Sequence, residues 1–513
     1  MVVKLILRSL AGLATLALTA SPALAAPCES LLFAKLPNTI ITLANLVAAG
    51  TFTPPTPAGG GLPGQPAFTQ FNTLPAFCRV AATLSPSSDS AIAIEVWMPA
   101  SGWNGKFAAV GNGGLAGLIS YSALGAALKA GYAAASTDTG HAGNSGSFAL
   151  GHPEKIIDFA YRGVHEMTVQ GKTIVDTFYD SNPKLSLWYG CSLGGRQGLS
   201  EAARYPGDFD AIVAGAPAIH QMHLMAGRLA ANVFVHRSED SYIPPSKYGL
   251  IHDAALRACD AADGVKDRVI DSPTRCKFNP KVLVCKGADA PNCLTSAQVE
   301  TARALYSSIK NPGTGKQVLP TLLLPGSEAG WATLAGPEPL RYAFEVYQNM
   351  VFNDPSWTWR RFNAAKDIDL GLQKDNDLLD FTDANLKPFF DRGGKLLMYH
   401  GWADPQVTPM GSVNYYNDVI KTLGGGVAGK SIELYMVPGM GHCRGGDGTD
   451  TFDTMAAIEQ WVASGVGPDK ILASHLTNGM ADRTRPLCPY PQVAVYKGTG
   501  STDGAANFVC RAH

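Results

Sequence analysis

Gly190-Cys191-Ser192-Leu193-Gly194 is the stretch of sequence that decides the fold. An apolar segment typical of a strand, 185–189, precedes it, and a segment with helical character, 195–204, follows it. A Gly-x-Ser-x-Gly between a strand and a helix is typical of a nucleophile elbow, a sharp turn that lifts the serine hydroxyl above a sheet. A glycine-rich turn in which Ser192 only caps the helix is the alternative. The flanking segments favour the elbow and predict that Ser192 is a nucleophile.

Short apolar segments alternate with helical segments on both sides of this motif. We predict strands at 91–98, 106–110, 132–136, 185–189, 211–214, 395–399 and 431–437, and helices at 121–130, 158–179 and 195–204. This alternation predicts a parallel sheet covered by helices on both faces. It stops near Pro217 and resumes near Gly394, with no regular pattern between them. The sequence therefore predicts a catalytic domain, 26–216 and 392–513, with a lid domain, 217–391, inserted into it.

A serine nucleophile needs a base, and the base needs an orienting acid. The predicted strand 395–399 leads into a loop with Asp404, and the predicted strand 431–437 leads into a glycine-rich loop with His442. The chain order Ser192, Asp404, His442 is that of the α/β-hydrolase fold. We therefore predict an α/β-hydrolase core in which these residues form a catalytic triad.

Two other residues compete for these roles. His400 lies at the end of a predicted strand, and Asp447 follows the His442 loop. For His400 we expect structural hydrogen bonds rather than catalysis, and we prefer Asp404 over Asp447 as the acid.

Cysteines flank both halves of the predicted triad. Cys191 directly precedes Ser192, and Cys443 directly follows His442. If Ser192 and His442 meet within hydrogen-bond distance, the Cα atoms of these cysteines can approach to the roughly 4.4–6.8 Å that a disulfide needs. We expect a disulfide that holds the base beside the nucleophile; two unrelated buried thiols are the alternative.

An oxyanion hole is expected from backbone N–H groups. One is that of Leu193, the residue after the nucleophile. The second is expected on the loop after an early strand, where Gly111-Asn112-Gly113-Gly114 lies, and we favour Gly113. A plain tight turn is the alternative interpretation of this loop.

A second kind of site is predicted inside the lid. Residues 259–269 read Cys-Asp-Ala-Ala-Asp-Gly-Val-Lys-Asp-Arg-Val, with three closely spaced carboxylates. Oxygen ligands of this kind suit Ca²⁺, and two backbone carbonyls would complete the shell, although the glycine position does not match an EF-hand. A solvated acidic loop is the alternative. The predicted ligands of a structural Ca²⁺, without a role in the chemistry, are Asp260, Asp263, Val265, Asp267 and Val269.

Composition and charge exclude several classes of protein. With 46% hydrophobic and 16% charged residues among 513, the chain is neither disordered nor a coiled coil. A formal net charge of −1 gives no reason to expect nucleic acid as a partner. The sequence carries no signature of an oligomeric state.

The N-terminus and the cysteines predict export. Lys4 and Arg8 precede an apolar run, 10–20, and Ala23-Leu24-Ala25 offers small residues for cleavage, which is typical of a secretory signal peptide, 1–25. A retained membrane anchor is the alternative, although the run is short for a span. Ten cysteines, an even number, are typical of disulfides in a secreted or periplasmic protein that does not bind membranes. Their spacing suggests the local pairs Cys259–Cys276, Cys285–Cys293 and Cys488–Cys510.

The elbow with Arg196, the Asp404 loop and Gly441-His442-Cys443 together resemble the tannase and feruloyl esterase family. Trp103-Asn104-Gly105-Lys106 and the Gly111–Gly114 loop are similar to its N-terminal signatures. The resemblance extends over the chain after the signal, and the cysteines beside the serine and the histidine make it specific. It implies a lid with structural calcium on the five residues named above. It also implies the disulfides Cys28–Cys78, Cys191–Cys443, Cys259–Cys276, Cys285–Cys293 and Cys488–Cys510.

The resemblance further implies an esterase for small aromatic esters, with or without attachment to a plant polymer. Members cleave esters of hydroxycinnamic acids, gallate or chlorogenate, and in a branch that hydrolyses mono(2-hydroxyethyl) terephthalate a lid arginine holds the free carboxylate. Arg360 or Arg361 could take that role, and Trp357 and Trp359 favour a flat slot for the acid's ring, with lid packing as the alternative. We expect a feruloyl esterase; a tannase, a terephthalate half-ester hydrolase and a non-catalytic binding module are the alternatives.

Overall fold

The structure is a computed structural model that describes residues 26–55, 69–115, 117–381 and 383–512. The predicted signal peptide, 1–25, lies outside these residues. In the described ranges, none of the helices has the length and apolar character needed to cross a bilayer.

Strands build the centre of the molecule. They are β1 (Thr39–Val47), β2 (Phe77–Leu84), β3 (Ile92–Pro99), β4 (Lys106–Val110), β5 (Ala133–Thr137), β6 (Leu185–Cys191), β7 (Ala211–Gly215), β8 (Ile309–Lys310), β9 (Gln317–Leu319), β10 (Lys395–Gly401), β11 (Ile432–Val437), β12 (Ile471–Thr477), β13 (Met480–Leu487), β14 (Gln492–Tyr496) and β15 (Phe508–Ala512). Nine of them form one sheet in the order β1-β2-β3-β5-β4-β6-β7-β10-β11. The others pair as the hairpins β8-β9, β12-β13 and β14-β15.

The prediction of a parallel sheet is wrong at one edge. From β5 to β11 every neighbouring pair is parallel, but β1, β2, β3 and β5 pair antiparallel. Strands β1 and β2 were not predicted at all. Central parallel strands are buried on both faces and read as continuous apolar runs, whereas β1 is a partly exposed edge strand with polar residues such as Asn45.

Helices surround this sheet. They are α1 (Tyr121–Lys129), α2 (Pro153–Ile157), α3 (Gly163–Tyr179), α4 (Leu193–Arg204), α5 (Gln221–Val235), α6 (Tyr248–Cys259), α7 (Ser296–Leu305), α8 (Ala332–Ala335), α9 (Arg341–Val346), α10 (Ala364–Asp375), α11 (Lys387–Asp391), α12 (Pro409–Leu423), α13 (Gly425–Ala428) and α14 (Thr454–Ser464). The three predicted helices correspond to α1, α3 with the π-helical turn before it, and α4.

Both faces of the sheet are covered, as the alternation predicts. Phe107 of β4 packs in a cluster with α3 and α12, while its neighbour Ala108 packs in another cluster with Trp461 of α14. Successive residues of a strand point to opposite faces, so both faces of β4 are buried. This arrangement and the strand order are those of an α/β-hydrolase core.

The predicted lid segment, 217–391, is mainly helical, although the sequence between its helices shows no regular pattern. It contains α5 to α11 and the hairpin β8-β9. Its apolar side chains form a cluster that also takes in Leu115, Phe159 and Leu193 from outside the segment. Because this cluster crosses the predicted boundary, the division into a lid and a catalytic domain stays a prediction.

The carboxyl ends of the parallel strands bring the predicted site residues to one edge of the sheet. The Gly111–Gly114 loop follows β4, Ser192 follows β6, Asp404 follows β10 and His442 follows β11. The strand ends lie level with one another, since Val110 pairs with Tyr189 and Gly401 pairs with Val437. The topology therefore brings to one edge residues that are distant in sequence; Ser192 and His442, for example, are 250 positions apart.

Candidate active site

Ser192 occupies a strained turn between β6 and α4. Its backbone has φ 64° and ψ −120°, a region that residues other than glycine rarely adopt. The flanking glycines are required by space: a Cβ atom at Gly190 would lie 2.4 Å from the carbonyl oxygen of Gly194, and one at Gly195 would lie 2.4 Å from that of Gly215. The Ser192 N–H donates to the Gly215 carbonyl at 2.9 Å, which fixes the turn to β7. These features are those of a nucleophile elbow.

His442 and Asp404 form a direct pair. His442 Nδ1 lies 2.7 Å from Asp404 Oδ2, and the Asp404 side chain is fully buried. The other oxygen, Oδ1, accepts from the N–H groups of Gln406 at 2.7 Å and Val407 at 3.0 Å. An ionised carboxylate only accepts, so Nδ1 carries the proton and Nε2 is the nitrogen that can exchange one.

The protonation state of Asp404 follows from its neighbours. Burial alone would raise its pKa, but the charge and hydrogen bonds of His442 and His400 outweigh burial and hold the pKa of Asp404 well below its usual range. Asp404 is therefore ionised at every pH at which the fold is expected to persist, and it can stabilise a positive charge on His442.

His400 makes the structural hydrogen bonds expected of it, with one that the sequence did not indicate. Its Nδ1 contacts Ser412 Oγ at 2.7 Å, and its Nε2 lies 3.1 Å from both the Val407 carbonyl and Asp404 Oδ2. His400 thus helps to hold the acid. The contact between His400 and Asp404 could have been predicted from the sequence, because the two residues are four positions apart at the end of β10.

The predicted disulfide between Cys191 and Cys443 is present. Their Cα atoms are 6.2 Å apart, and the bond closes a separation of 252 residues. It ties the elbow to the loop of His442. Within the described residues, Ser192 Oγ and His442 Nε2 have no hydrogen bond to each other. Such contacts are often long before substrate binds, and the disulfide restrains the separation of the two loops that carry Ser192 and His442.

The other disulfides implied by the family resemblance are present as well. They leave no described cysteine unpaired. The bonds are Cys28–Cys78, Cys259–Cys276, Cys285–Cys293 and Cys488–Cys510.

The predicted oxyanion loop lies against the elbow. The Gly194 N–H donates to the Asn112 carbonyl at 2.9 Å, which joins the Gly111–Gly114 loop to the start of α4. Leu193 is the first residue of α4, and the first N–H groups of a helix have no intrahelical acceptor. Gly113 is exposed, with open space where a side chain would be, whereas a Cβ at Gly114 would meet the ring of Tyr342 at 2.5 Å. Tyr342 of the predicted lid therefore lies directly against this loop.

The predicted calcium ligands lie on one compact loop after α6. Asp263 Oδ1 accepts from the Val265 N–H at 2.9 Å, and Asp267 Oδ1 accepts from the Val269 N–H at 3.2 Å. Asp260 Oδ1 accepts from the Asp267 N–H at 3.1 Å. The loop thus turns its carboxylates inward.

The charge within this loop is incompletely neutralised. Burial raises the pKa of Asp263 to about 6, and the carboxylates of Asp267 and Asp260 add to this effect. Burial also raises the pKa of Asp271 to about 7, with a further contribution from Asp263 and Asp267. Arg485 Nη2 lies 2.5 Å from Asp267 Oδ2 and supplies one positive charge. Closely spaced carboxylates are ligands that Ca²⁺ prefers, and Asp271 is a further carboxylate beside them that the sequence reasoning missed.

The tryptophans singled out in the sequence lie inside the predicted lid. Trp357 stacks on Phe352, with ring centroids 4.8 Å apart, and Trp359 Nε1 donates to Glu338 Oε2 at 2.7 Å. Both tryptophans are buried in the cluster of the segment. Their positions therefore agree with the alternative that these tryptophans pack the predicted lid.

The two arginines beside them are surface residues. The Arg360 side chain is 64% exposed and pairs with Glu338, and the Arg361 side chain is 63% exposed and pairs with Asp354. Neither contacts a described residue of the predicted triad.

The mixed sheet, the strained serine after β6 and the pairing of His442, after β11, with the buried Asp404, after β10, define an α/β hydrolase. Within that class, the chain belongs to the tannase and feruloyl esterase family, whose model matches residues 78–511. It is accordingly a carboxylic ester hydrolase.

Individual relatives agree with this assignment. An uncharacterised esterase of Xanthomonas campestris is 37% identical over 99% of this chain and 94% of its own length. A probable feruloyl esterase B-2 of Aspergillus terreus is 33% identical over 95% of this chain and 96% of its own length. The crystal structure of feruloyl esterase B from Aspergillus oryzae superposes with a TM-score of 0.86 at 30% identity, covering 94% of this chain and 99% of that one.

Proposed function

We propose that this chain is an exported feruloyl esterase that uses Ser192, His442 and Asp404 as a catalytic triad. The observation that carries the proposal is the His442–Asp404 pair, whose histidine lies on a loop that the Cys191–Cys443 disulfide ties to the elbow. The names of the relatives support a feruloyl substrate. The five disulfides support export to an oxidising compartment.

In this mechanism, Ser192 Oγ attacks the ester carbonyl carbon while His442 Nε2 takes its proton. The N–H groups of Leu193 and Gly113 donate hydrogen bonds to the carbonyl oxygen as it becomes negatively charged. The bond to the alcohol then breaks, and His442 gives its proton to the leaving alkoxide. Water, deprotonated by His442, attacks the acyl-enzyme and releases the hydroxycinnamic acid. Asp404 holds the imidazole in the required tautomer throughout.

A substrate panel tests the proposal. Initial rates on methyl ferulate, methyl caffeate, methyl gallate, chlorogenate and mono(2-hydroxyethyl) terephthalate give kcat/KM for each ester. We expect the highest kcat/KM on methyl ferulate. A maximum on methyl gallate or on the terephthalate half-ester would reassign the substrate, and no turnover of p-nitrophenyl acetate would indicate a non-catalytic binding module.

We further propose a structural Ca²⁺ on Asp260, Asp263, Val265, Asp267 and Val269. When bound, the ion would supply positive charge that offsets the crowded carboxylates of the loop. The residues themselves hold the loop closed through the hydrogen bonds described above.

Removal of this ion is expected to lower the melting temperature. An ion that binds only the folded state stabilises it by about 2.7 kcal/mol when its free concentration is about 100 times Kd. Scanning calorimetry with and without a chelator measures the effect, and Asp263→Ala should abolish the difference. Asp240→Ala, at an exposed carboxylate elsewhere in the predicted lid, serves as the control. An unchanged melting temperature on chelation, with no calcium found by elemental analysis, would contradict the site.

Removal of the Cys191–Cys443 bridge is expected to cost activity more than structure. The double variant Cys191→Ala, Cys443→Ala retains four disulfides, so it should fold. Since a displacement of about 1 Å at a reacting centre can cost about 10² in rate, kcat should fall by about that factor. The matched control is Cys285→Ala, Cys293→Ala, which removes a bond of sequence separation 8 in the predicted lid. Equal kcat for the two double variants would show that the bridge does not position the base.

A further inference from the structure

A buried histidine joins the predicted lid to the loop of the catalytic histidine. His252 of α6 places Nδ1 2.9 Å from Glu328 Oε2 and Nε2 2.8 Å from Asp447 Oδ2. The side chains of His252 and Glu328 are 8% and 0% exposed. Glu328 is itself held, because Tyr306 Oη donates to it and the Gly326 N–H reaches both of its oxygens at 2.9 and 3.0 Å. One ring nitrogen of His252 is therefore held by Glu328 of the predicted lid, and the other donates to Asp447.

The charge state of His252 follows from these contacts. Each ring nitrogen faces a carboxylate, so both nitrogens carry protons and the ring is an imidazolium. The hydrogen bonds to Asp447 and Glu328 outweigh burial and raise the pKa of His252 to about 9. Because the pKa of His252 is higher in the folded state than its ordinary value of about 6.5, protonated His252 contributes its full stabilisation below about pH 6.5. This contribution is lost as the pH rises through about 9. Near neutral pH the ion pair with Asp447 is intact.

Cations also approach Asp447 from other elements. Arg483 of β13 donates to its backbone carbonyl at 3.3 Å. The hydrogen bond from His252, together with the charges of His252, Arg268 and Arg483, outweighs burial and lowers the pKa of Asp447. Arg268 is exposed and is also paired with Asp253 at 3.0 Å. Of these three cations, His252 is the one that forms a side-chain hydrogen bond with Asp447.

Asp447 lies on the same stiff loop as His442. The Gly448 N–H donates to the Gly439 carbonyl at 3.2 Å, and the Gly441 N–H donates to the Gly445 carbonyl at 2.8 Å. The two sides of the loop touch so closely that a Cβ at Gly448 would lie 1.9 Å from the Pro438 carbonyl oxygen. Hydrogen bonds and a close backbone approach therefore connect the part of the loop that carries Asp447 to the part that carries His442, and we expect a shift of Asp447 to displace His442.

We propose that His252 is a positioning residue, which holds the His442 loop in place relative to Ser192 through its ion pair with Asp447. The inference rests on the proposed role of His442 in catalysis. It gives a function to Asp447, which lies near the catalytic histidine without contacting it. On this proposal two anchors hold the loop of His442: the disulfide at Cys443 and the ion pair at Asp447.

The test uses His252→Gln and Asp447→Asn in the full mature chain. Asp447→Asn leaves His252 paired with Glu328, so it keeps the lid contact if His252→Gln fails to fold. The matched control is His165→Gln, which removes a similar histidine–aspartate contact, 2.7 Å from Asp208, on α3. We expect both test variants to lose about 10- to 100-fold in kcat on methyl ferulate, with KM changed less than about twofold, and the control to keep both constants.

Two further readouts separate positioning from general destabilisation. Labelling by a fluorophosphonate, followed by mass spectrometry, should modify Ser192 in the wild type and do so 10- to 100-fold more slowly in the two variants, as about 1 Å of displacement predicts. In the wild type, kcat should also decline as the pH rises through about 9, where His252 loses its proton; this decline should be absent in Asp447→Asn, because the ion pair that it disrupts is already removed. Wild-type labelling rates and an unmoved pH profile in a folded variant would overturn the proposal while Ser192 stands. Failure of the wild type to label at Ser192 would overturn the triad and this proposal together.

Discussion

Ser192→Ala is expected to lower kcat on methyl ferulate by about 10⁶ while the fold is unchanged. The substitution removes the only atom that can form the acyl-enzyme in the proposed mechanism. The oxyanion donors and the substrate contacts remain, so the residual rate should still exceed that of the uncatalysed reaction. Product formation by chromatography at high enzyme concentration measures the loss, and circular dichroism checks the fold.

The matched control for this variant is Ser122→Ala, which removes an exposed hydroxyl from α1. It should retain wild-type kcat. A Ser192→Ala enzyme with a tenth of the wild-type kcat would end the assignment of the nucleophile, because removal of the nucleophile should lower kcat by about 10⁶.

The elbow and the order of the predicted triad were readable in the sequence because their signals are local. A glycine on each side of Ser192 is required by the close approach of Gly190 to Gly194, and that requirement is written in consecutive residues. The loops of Asp404 and His442 each follow a largely apolar strand. Parallel topology then brings loops after such strands to one edge of the sheet, whatever their separation in sequence.

Contacts that depend on tertiary packing were not readable. The network of His252, Glu328 and Asp447 joins residues that are 76 and 195 positions apart, and no periodic pattern marks them. The antiparallel edge of the sheet was missed because partly exposed strands lack the apolar run of central ones. Trp357 and Trp359 show a related problem: an aromatic cluster in a sequence has the same composition whether it packs a core or lines a slot.

Asp404 offers a sharp test of how the acid works, because its two oxygens have different partners. Oδ1 accepts from the backbone N–H groups of Gln406 and Val407, and Oδ2 faces His442 and His400. In Asp404→Asn, the amide oxygen is expected at the Oδ1 position, because the backbone N–H donors there cannot change. At the Oδ2 position, His442 can change tautomer and His400 keeps the Val407 carbonyl as an acceptor. The NH₂ group is then directed at His442 Nδ1.

Asp404→Asn is therefore expected to lower kcat by about 10⁴. An NH₂ group that donates to Nδ1 forces the proton of His442 onto Nε2, the nitrogen that must accept the proton of Ser192. The ¹⁵N chemical shifts of His442 report the tautomer directly and should exchange their Nδ1 and Nε2 characters in the variant, while kcat on methyl ferulate measures the loss. Asp418→Asn, on α12, is the control and should alter neither. If Asp404→Asn inverts the tautomer but keeps kcat, His442 is not the base; if the tautomer is unchanged and kcat falls, the acid acts through its charge alone.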